Sequence, residues 1–247
     1  MSEPIPAATT VLFRDRADGP PELLMVERAA TMAFAGGAMV FPGGRIDPGD
    51  RRLAELHAPD IEDAAARIAA IRETLEEAGI AVGLDPLPSI DQCRAMRGRL
   101  HDGEAMSAVL GDHRLALGEL VPFARWLPAH AHMRIFDTLF YIAAAPPGSS
   151  EPVVDATENV AARWTTAADL LAEADRGEAR IIFPTRRNLE RLARYASFAD
   201  AVADARAHPV RAITPYAEER EGGMHLCIPD DLGYPVTSEL MTGALRG

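Results

Sequence analysis

The stretch from Ala58 to Ile80, "APDIEDAAARIAAIRETLEEAGI", constrains the fold more than any other in the chain. Asp60 offers an N-cap, acidic residues fill the first turn and Gly79 offers a stop. Ile61, Ala65, Ile68, Ala69 and Leu75 supply one apolar side. The pattern predicts a single long helix lying against a core. On it Glu73, Glu76 and Glu77 stand at offsets of zero, three and four, which places them on one face. Like charges at that spacing cost roughly 0.2 to 0.5 kcal/mol per pair unless something positive lies over them. Arg72 can bond a carboxylate but does not neutralise three. A hard divalent cation such as Mg2+ or Mn2+, which takes oxygen ligands, does. Taken alone, the same text also reads as a solvated acidic face.

Upstream, residues 9 to 14 ("TTVLFR") and 22 to 28 ("ELLMVER") read as two strands around the turn signal "DGPP". In "FPGGRIDPGD", Phe41 to Asp50, two glycines after a proline are either a tight turn or a place where backbone approaches a ligand closely. Residues 89 to 117 carry helical patterns broken at Gly98, Gly103 and Gly111, a small helical insertion. "LVPFARWLPA" and "RIFDTLFYIAAA" return to strand patterning, and "PPGSSEP" is a loop by composition. From Thr165 the text is helical, "TTAADLLAEADRG" and then "PTRRNLERLARYASFADAVADAR", with strand-like pieces near Val210 and from Met224 to Ile228. Strands interleaved with separate helices predict one α/β or α+β layer structure, elaborated at its end.

Composition narrows the function. At 247 residues, 48% of them hydrophobic, the chain can bury a substantial core. No run approaches the roughly 20 apolar residues that span a bilayer, and "MSEPIPAATT" lacks the pattern of a signal peptide, so a cytoplasmic protein away from membranes is expected. A formal charge of -12 disfavours nucleic acid as the partner, yet allows a small phosphate ligand held through a metal. Cys93 and Cys227 have no zinc-like spacing and read as two buried thiols.

"RETLEEAGI" matches the second half of the Nudix box, G-x5-E-x7-R-E-U-x-E-E-x-G-U with U apolar, with Thr74 at one U position. With "PGG" upstream, the chain resembles the Nudix hydrolase superfamily. That resemblance implies an α/β/α sandwich around a mixed sheet, with a core over about residues 9–175, an insertion over 86–118 and a helical C-terminal extension over 176–247. It also implies metal held by Glu73, Glu76, Glu77 and a backbone carbonyl of Gly43 or Gly44, with Arg72 keeping a carboxylate in line. The box expects 14 positions from its first Gly to its Arg, whereas Gly44 to Arg72 spans 28, so a loop separates the halves. Counting forward from Gly44 puts Asp50 at the first Glu; counting back from Arg72 puts Ala64 there, beside Glu62 and Asp63. Glu158, in "DATENVAARW", stands where several Nudix enzymes carry a further catalytic glutamate; a surface carboxylate is the other reading.

"LMVERAATMAFAGGAMVFPGG" resembles the pattern of coenzyme A diphosphatases, LLTxR[SA]xxxRxxxGxxxFPGG. Leu24, Arg28, Ala29, Gly37 and Phe41 to Gly44 fit in register, and this implies substrate contacts from Arg28, Gly37 and Phe41. Met25 and Val26 replace LT, and Ala33 stands where the second Arg belongs. "FPGGRIDPGDR", "ARWLP" followed by "RIFDTLF", and "PTRRNLERLARYASFAD" resemble the peroxisomal acyl-coenzyme A diphosphatase subgroup over about residues 9 to 235. The ending "ALRG" is not S-K-L, and all 25 basic residues are Arg, which together favour a bacterial cytoplasmic relative. The expected reaction is hydrolysis of coenzyme A or acyl-coenzyme A to 3',5'-ADP and (acyl-)phosphopantetheine. A hydrolase of ADP-ribose, NADH or another nucleoside diphosphate derivative is the alternative, and a nucleotide sensor that does not cut is another. Family members often form homodimers, for which the C-terminal helices could serve. Arg187, Arg191 and Arg194 share a helix face that reads as solvated or as a phosphate contact. Trp126 and Trp164 read as core, and His130 and His132 as surface histidines.

Overall fold

A computed structural model describes residues 3–32, 35–128, 135–149, 151–154 and 158–244. Eight described strands form one mixed sheet: β1 (Ile5–Arg14), β2 (Glu22–Arg28), β3 (Met39–Val40), β4 (Gly43–Arg45), β7 (Val121–Trp126), β8 (Phe136–Ala144), β9 (Asn159–Thr166) and β10 (Ala212–Ile213). A pair of two-residue strands, β5 (Leu84–Asp85) and β6 (Arg114–Leu115), lies apart. The helices are α1 (Pro48–His57), α2 (Ala64–Ala78), α3 (Ile90–His101), α4 (Met106–Val109), α5 (Ala167–Asp175), α6 (Phe183–Leu192) and α7 (Phe198–Ala207). A smaller sheet, β11 (Tyr216–Arg220), β12 (Gly223–Cys227) and β13 (Ser238–Leu240), precedes the short α8 (Met241–Ala244).

The centre of the sheet explains how the site is built. β1 pairs along its length with β8 in parallel, from Ile5 opposite Phe136 to Phe13 opposite Ala144. On its other edge it divides its partners: Ala7 to Thr9 pair with β4, while Phe13 and Arg14 pair with β2. β2 then diverges from β1 and pairs with β3 on that side and β9 on the other. The chain from Met39 to Arg45 fills the wedge between the two splayed strands, and Thr10 N–H donates to Pro42 C=O at 2.9 Å inside it. α2 packs across this wedge, with Thr10 Oγ1 donating to the Ala70 carbonyl at 3.2 Å.

Both faces of the sheet are covered, so its strands carry hydrophobic side chains on both. Ala8, Leu12 and Leu24 belong to one core with α1 to α4; Val11, Phe13, Leu23 and Met25 belong to the other with α5 to α7. The result is the expected α/β/α sandwich. α6, α7 and β10 form part of the second helical layer and a sheet edge.

The sequence reading is corrected in four places. The long helix starts at Ala64 with Asp63 at its N-cap, and Ile61 is 40% exposed outside it. The loop between the box halves contains a helix of its own, α1, begun by Pro48 in its first turn and a capping box between Asp47 and Asp50. Gly98 lies within α3 instead of breaking it. The run from Pro184 to Arg206 is two helices, because Ser197 caps α7 by accepting from Asp200 N–H.

Candidate active site

Arg72 organises the carboxylates. Its Nε and Nη2 form a fork on Asp50, at 3.1 and 3.0 Å, and Nη2 also donates to the Arg45 carbonyl at 2.9 Å. Its Nη1 donates to Glu73 at 2.8 Å and to Glu76 at 3.2 Å. Asp50 is 1% and Arg72 8% exposed, so the fork is a buried ion pair with its donors satisfied. Asp50 therefore is the acid of the split loop that reaches the box helix. Asp63 points elsewhere, binding Arg67 and Tyr141, and Glu62 is exposed.

Glu77 is held separately. Gly43 N–H donates to one of its oxygens at 2.8 Å and Asn159 Nδ2 to the other at 2.9 Å. Gly44 lies directly beneath Glu73: a Cβ there would fall 2.3 Å from Oε1. A Cβ on Gly43 would fall 2.5 Å from both the Ala8 carbonyl and Thr9 Oγ1. The two glycines are thus required for close approach, of Gly43 to β1 and of Gly44 to the Glu73 carboxylate.

Electrostatics follow from this crowding. Burial pushes Glu73 up to about 8; Arg72 opposes the shift, while Glu77 and Glu76 add to it. Burial likewise pushes Glu77 up to about 7, against the hydrogen bonds from Asn159 and Gly43 and the nearby charge of Arg28, with Glu158 adding to the rise. Burial pulls the Arg72 guanidinium down, but Asp50 and Glu73 outweigh it and the net shift is upward. Geometry ties Arg28 to this end through Asn159, its partner across β2 and β9, while Ala29 N–H donates to the Glu158 carbonyl at 2.8 Å.

Comparison with known proteins now bears on this arrangement. The family model described as NUDIX domain matches residues 4–185. The chain belongs to the Nudix family. A Nudix hydrolase from Alicyclobacillus acidocaldarius superposes with a TM-score of 0.71 at 30% identity, covering 82% of this chain and 97% of that one. A MutT Nudix hydrolase from Burkholderia pseudomallei gives 0.44 at 20% identity, covering 76% and 98%. The Nudix domain of Shewanella oneidensis NrtR, in complex with ADP ribose, gives 0.43 at 14% identity, covering 78% and 88%. No curated protein matches. Family membership makes the chain a hydrolase of pyrophosphate bonds, in a family that generally uses divalent metal ions.

The residues of the Nudix box fit such an ion. The donors are oxygen throughout, the preference of a hard cation, and two of the carboxylates hold raised pKa values because negative charge is crowded and desolvated. Asn159 Oδ1 and Arg28 Nε are buried at the Glu77 end without a hydrogen-bond partner. Among the described residues no three acidic, His or Cys side chains already enclose a single point, since Arg72 holds Glu73 and Glu76 while Gly43 and Asn159 hold Glu77.

The remaining sequence candidates divide. Gly37 adopts φ of +71° and closes the loop after β2 by donating to the Arg28 carbonyl at 3.0 Å, a backbone role. Phe41 is 3% exposed and packs edge-on to Phe140, with ring centroids 6.5 Å apart, so its contribution is to the core. Trp126 and Trp164 are core residues. Arg187 and Arg191, 2% and 1% exposed, form neither a solvated face nor a phosphate contact: Arg191 binds Asp204 at 2.6 Å, and Arg187 binds Glu190 and Glu239 at 2.9 Å each. Arg194 donates to the Gly233 carbonyl at 3.1 Å. Ala33, His130 and His132 lie outside the described residues. Asn159 was not singled out by sequence; its only local signal is its place just after Glu158 at the start of β9.

Among the described residues no helix is long and apolar enough to cross a membrane.

Proposed function

We propose that this Nudix protein is a Mg2+- or Mn2+-dependent diphosphatase that hydrolyses coenzyme A or acyl-coenzyme A to 3',5'-ADP and (acyl-)phosphopantetheine. The observation that carries the reading is the place of Arg28. It is in register with the coenzyme A diphosphatase pattern, and it stands opposite Asn159, the residue that bonds Glu77, with a buried Nε lacking a partner. A guanidinium there suits a phosphate of the substrate.

Glu73, Glu76, Glu77 and backbone at Gly43 or Gly44 would hold the cation. Bound there, it would offset the negative charge of a diphosphate and make an attacking water more acidic. Arg72, anchored on Asp50, keeps Glu73 and Glu76 in place, and Gly43 N–H and Asn159 keep Glu77 in place. A glutamate of the box or Glu158 would take the proton released by the water. Glutamate at all three positions of the helical half of the box, Glu73, Glu76 and Glu77, favours cleavage over mere sensing, since binding alone does not require a complete metal set.

The test is chromatographic detection of the two phosphomonoester products formed with Mg2+ from coenzyme A, acyl-coenzyme A, ADP-ribose and NADH. Higher kcat/KM for a coenzyme A compound is expected, the ratio that measures differential transition-state binding. A tenfold preference for ADP-ribose would overturn the substrate while leaving the family untouched, and binding without turnover of any of the four would favour the sensor. Arg28→Ala should lower coenzyme A turnover by about 1.5 to 3 kcal/mol, the range for a hydrogen bond to a charged group. It should harm dephospho-coenzyme A less if the 3'-phosphate is its partner.

A further inference from the structure

The helical insertion after the Nudix box has no part in the reading above, yet it touches the box helix at a telling place. α2 ends at Ala78, one residue after Glu77, with Gly79 in the left-handed region at φ 70° and ψ 19°. The last turn, which leaves its carbonyls without helical partners, is therefore the turn that carries two of the three box glutamates. The Leu75 carbonyl keeps the helix's own capping bond from Gly79 N–H at 2.9 Å, and the carbonyls after it have donors from outside the helix: Val153 N–H bonds Ala78 at 3.1 Å. The two between them are taken by side chains of α3: Arg97 Nε donates to Glu76 C=O at 2.8 Å, Arg97 Nη2 reaches Glu77 C=O at 3.5 Å, and His101 Nε2 lies 3.1 Å from Glu76 C=O.

We infer that Arg97, assisted by His101, is a positioning residue for Glu76 and Glu77, and that this is what the insertion contributes to the reaction. Glu76 is gripped at both ends, its carbonyl by α3 and its carboxylate by Arg72 at 3.2 Å. α3 is a firm base for the grip, since Met96 and Leu100 on either side of Arg97 are buried in the same core as α2. A cation at a helix C-terminus also suits the negative end of the helix dipole. Without Arg97, the carbonyls of a turn that ends at a glycine fall to water, and the turn frays first where the carboxylates sit. The inference rests on Glu76 and Glu77 acting as metal ligands, as proposed above.

The test compares the native enzyme with Arg97→Met, which keeps the hydrophobic stem and removes the donors, and Arg97→Lys, which restores one. Three quantities are read: the Mn2+ dissociation constant by electron paramagnetic resonance of the free ion, kcat and KM on the best substrate, and amide hydrogen exchange along α2. Arg97→Met should weaken Mn2+ binding three- to tenfold and lower kcat by a similar factor with KM within twofold. Exchange should quicken at the amides from Glu76 to Gly79 and not in the first half of α2, and Arg97→Lys should recover part of each effect. A folded Arg97→Met enzyme with native Mn2+ affinity and kcat, altered only in melting temperature, would overturn the inference. Should Arg97→Met not fold, His101→Leu serves at an exposed position: a twofold or larger loss of Mn2+ affinity supports the assignment and no change overturns it. If Glu76→Gln leaves Mn2+ binding of the native chain intact, the metal reading itself fails, whereas local exchange in α2 still reports whether Arg97 holds the turn.

Discussion

Replacing Glu77 by Gln separates the two things this side chain does, because the substitution keeps its shape and removes its charge. The glutamine carbonyl can still accept from Gly43 N–H. Its NH2 group can donate to Asn159 Oδ1, which has no partner in the native site, once the Asn159 amide turns over. The fold should therefore survive. Stability without metal should rise, by an amount set by the cost of keeping a charge there. Glu77 is raised from the ordinary 4.5 to about 7. At 1.36 kcal/mol per unit that is on the order of 3 kcal/mol as an upper figure. A carboxyl that holds its proton more tightly when folded adds stability at pH below 4.5 and loses it as pH rises through about 7. With EDTA present, urea unfolding at pH 5 should thus distinguish native and Glu77→Gln little, and at pH 8 the variant should be more stable by about 1 to 3 kcal/mol. Glu73, pushed up to about 8 mainly by burial and in part by the Glu77 charge, should rise less in the variant, which adds to its gain at pH 8. Turnover should move the other way, falling by two or more orders of magnitude, the scale for loss of charge stabilisation in a transition state. A folded variant with native turnover would refute the metal-site reading. A variant no more stable than the native chain at pH 8 would refute the claim that Glu77 is a desolvated, crowded charge.

The rest of the site gives further expectations. Asp50→Ala strips a buried guanidinium of its fork and should cost about 3 to 5 kcal/mol in urea unfolding, the range for breaking a buried pair. Asn159→Leu, which frees one oxygen of Glu77, should lower kcat/KM by about 1.5 to 3 kcal/mol with circular dichroism unchanged. Arg191→Met removes the partner of Asp204 at 2.6 Å and should destabilise by about 3 to 5 kcal/mol while leaving kcat and KM of the folded fraction native. A kinetic defect of tenfold or more there would restore the phosphate-contact reading.

How much of this was legible in the sequence depends on the range of the interaction. The shared face of Glu73, Glu76 and Glu77 follows from helical spacing alone, and the structure displays it on α2. The first two strands and β8 were legible because alternating or continuous apolar runs bounded by turn residues mark them. α1 was not, because Pro48 and Gly49 look like turn punctuation; the capping box is disguised by Asp50 standing where Glu or Gln is usual. That hidden helix decides which acid meets Arg72, so counting residues from either end of the split box could not settle it. Asn159 was invisible for a different reason: its partner is 82 residues away in sequence, and no local pattern announces such a pair. Arg187 and Arg191 misled because a charge run at helical spacing usually faces water. Their partners Asp204 and Glu239 lie on α7 and β13, so only the packing of distant elements turns that face inward.

The charge inventory of the site makes the same point in energetic form. Asp50, Glu73, Glu76, Glu77 and Glu158 gather around two guanidiniums, Arg72 and Arg28. Arg72 spends one arm of its fork on Asp50 and divides the other between Glu73 and Glu76, so it balances about one of the three charges it touches. Glu77 receives only neutral donors, Gly43 N–H and Asn159 Nδ2. Protons make up part of the deficit, because burial first, and the neighbouring carboxylates after it, push Glu73 up to about 8 and Glu77 up to about 7. Any cation that binds must displace those protons, and its affinity must rise as pH rises toward 8. A site built only for stability would have paired or removed these carboxylates, since crowding them lowers the stability of the folded chain. Keeping them buried makes sense if a divalent charge arrives to complete the set.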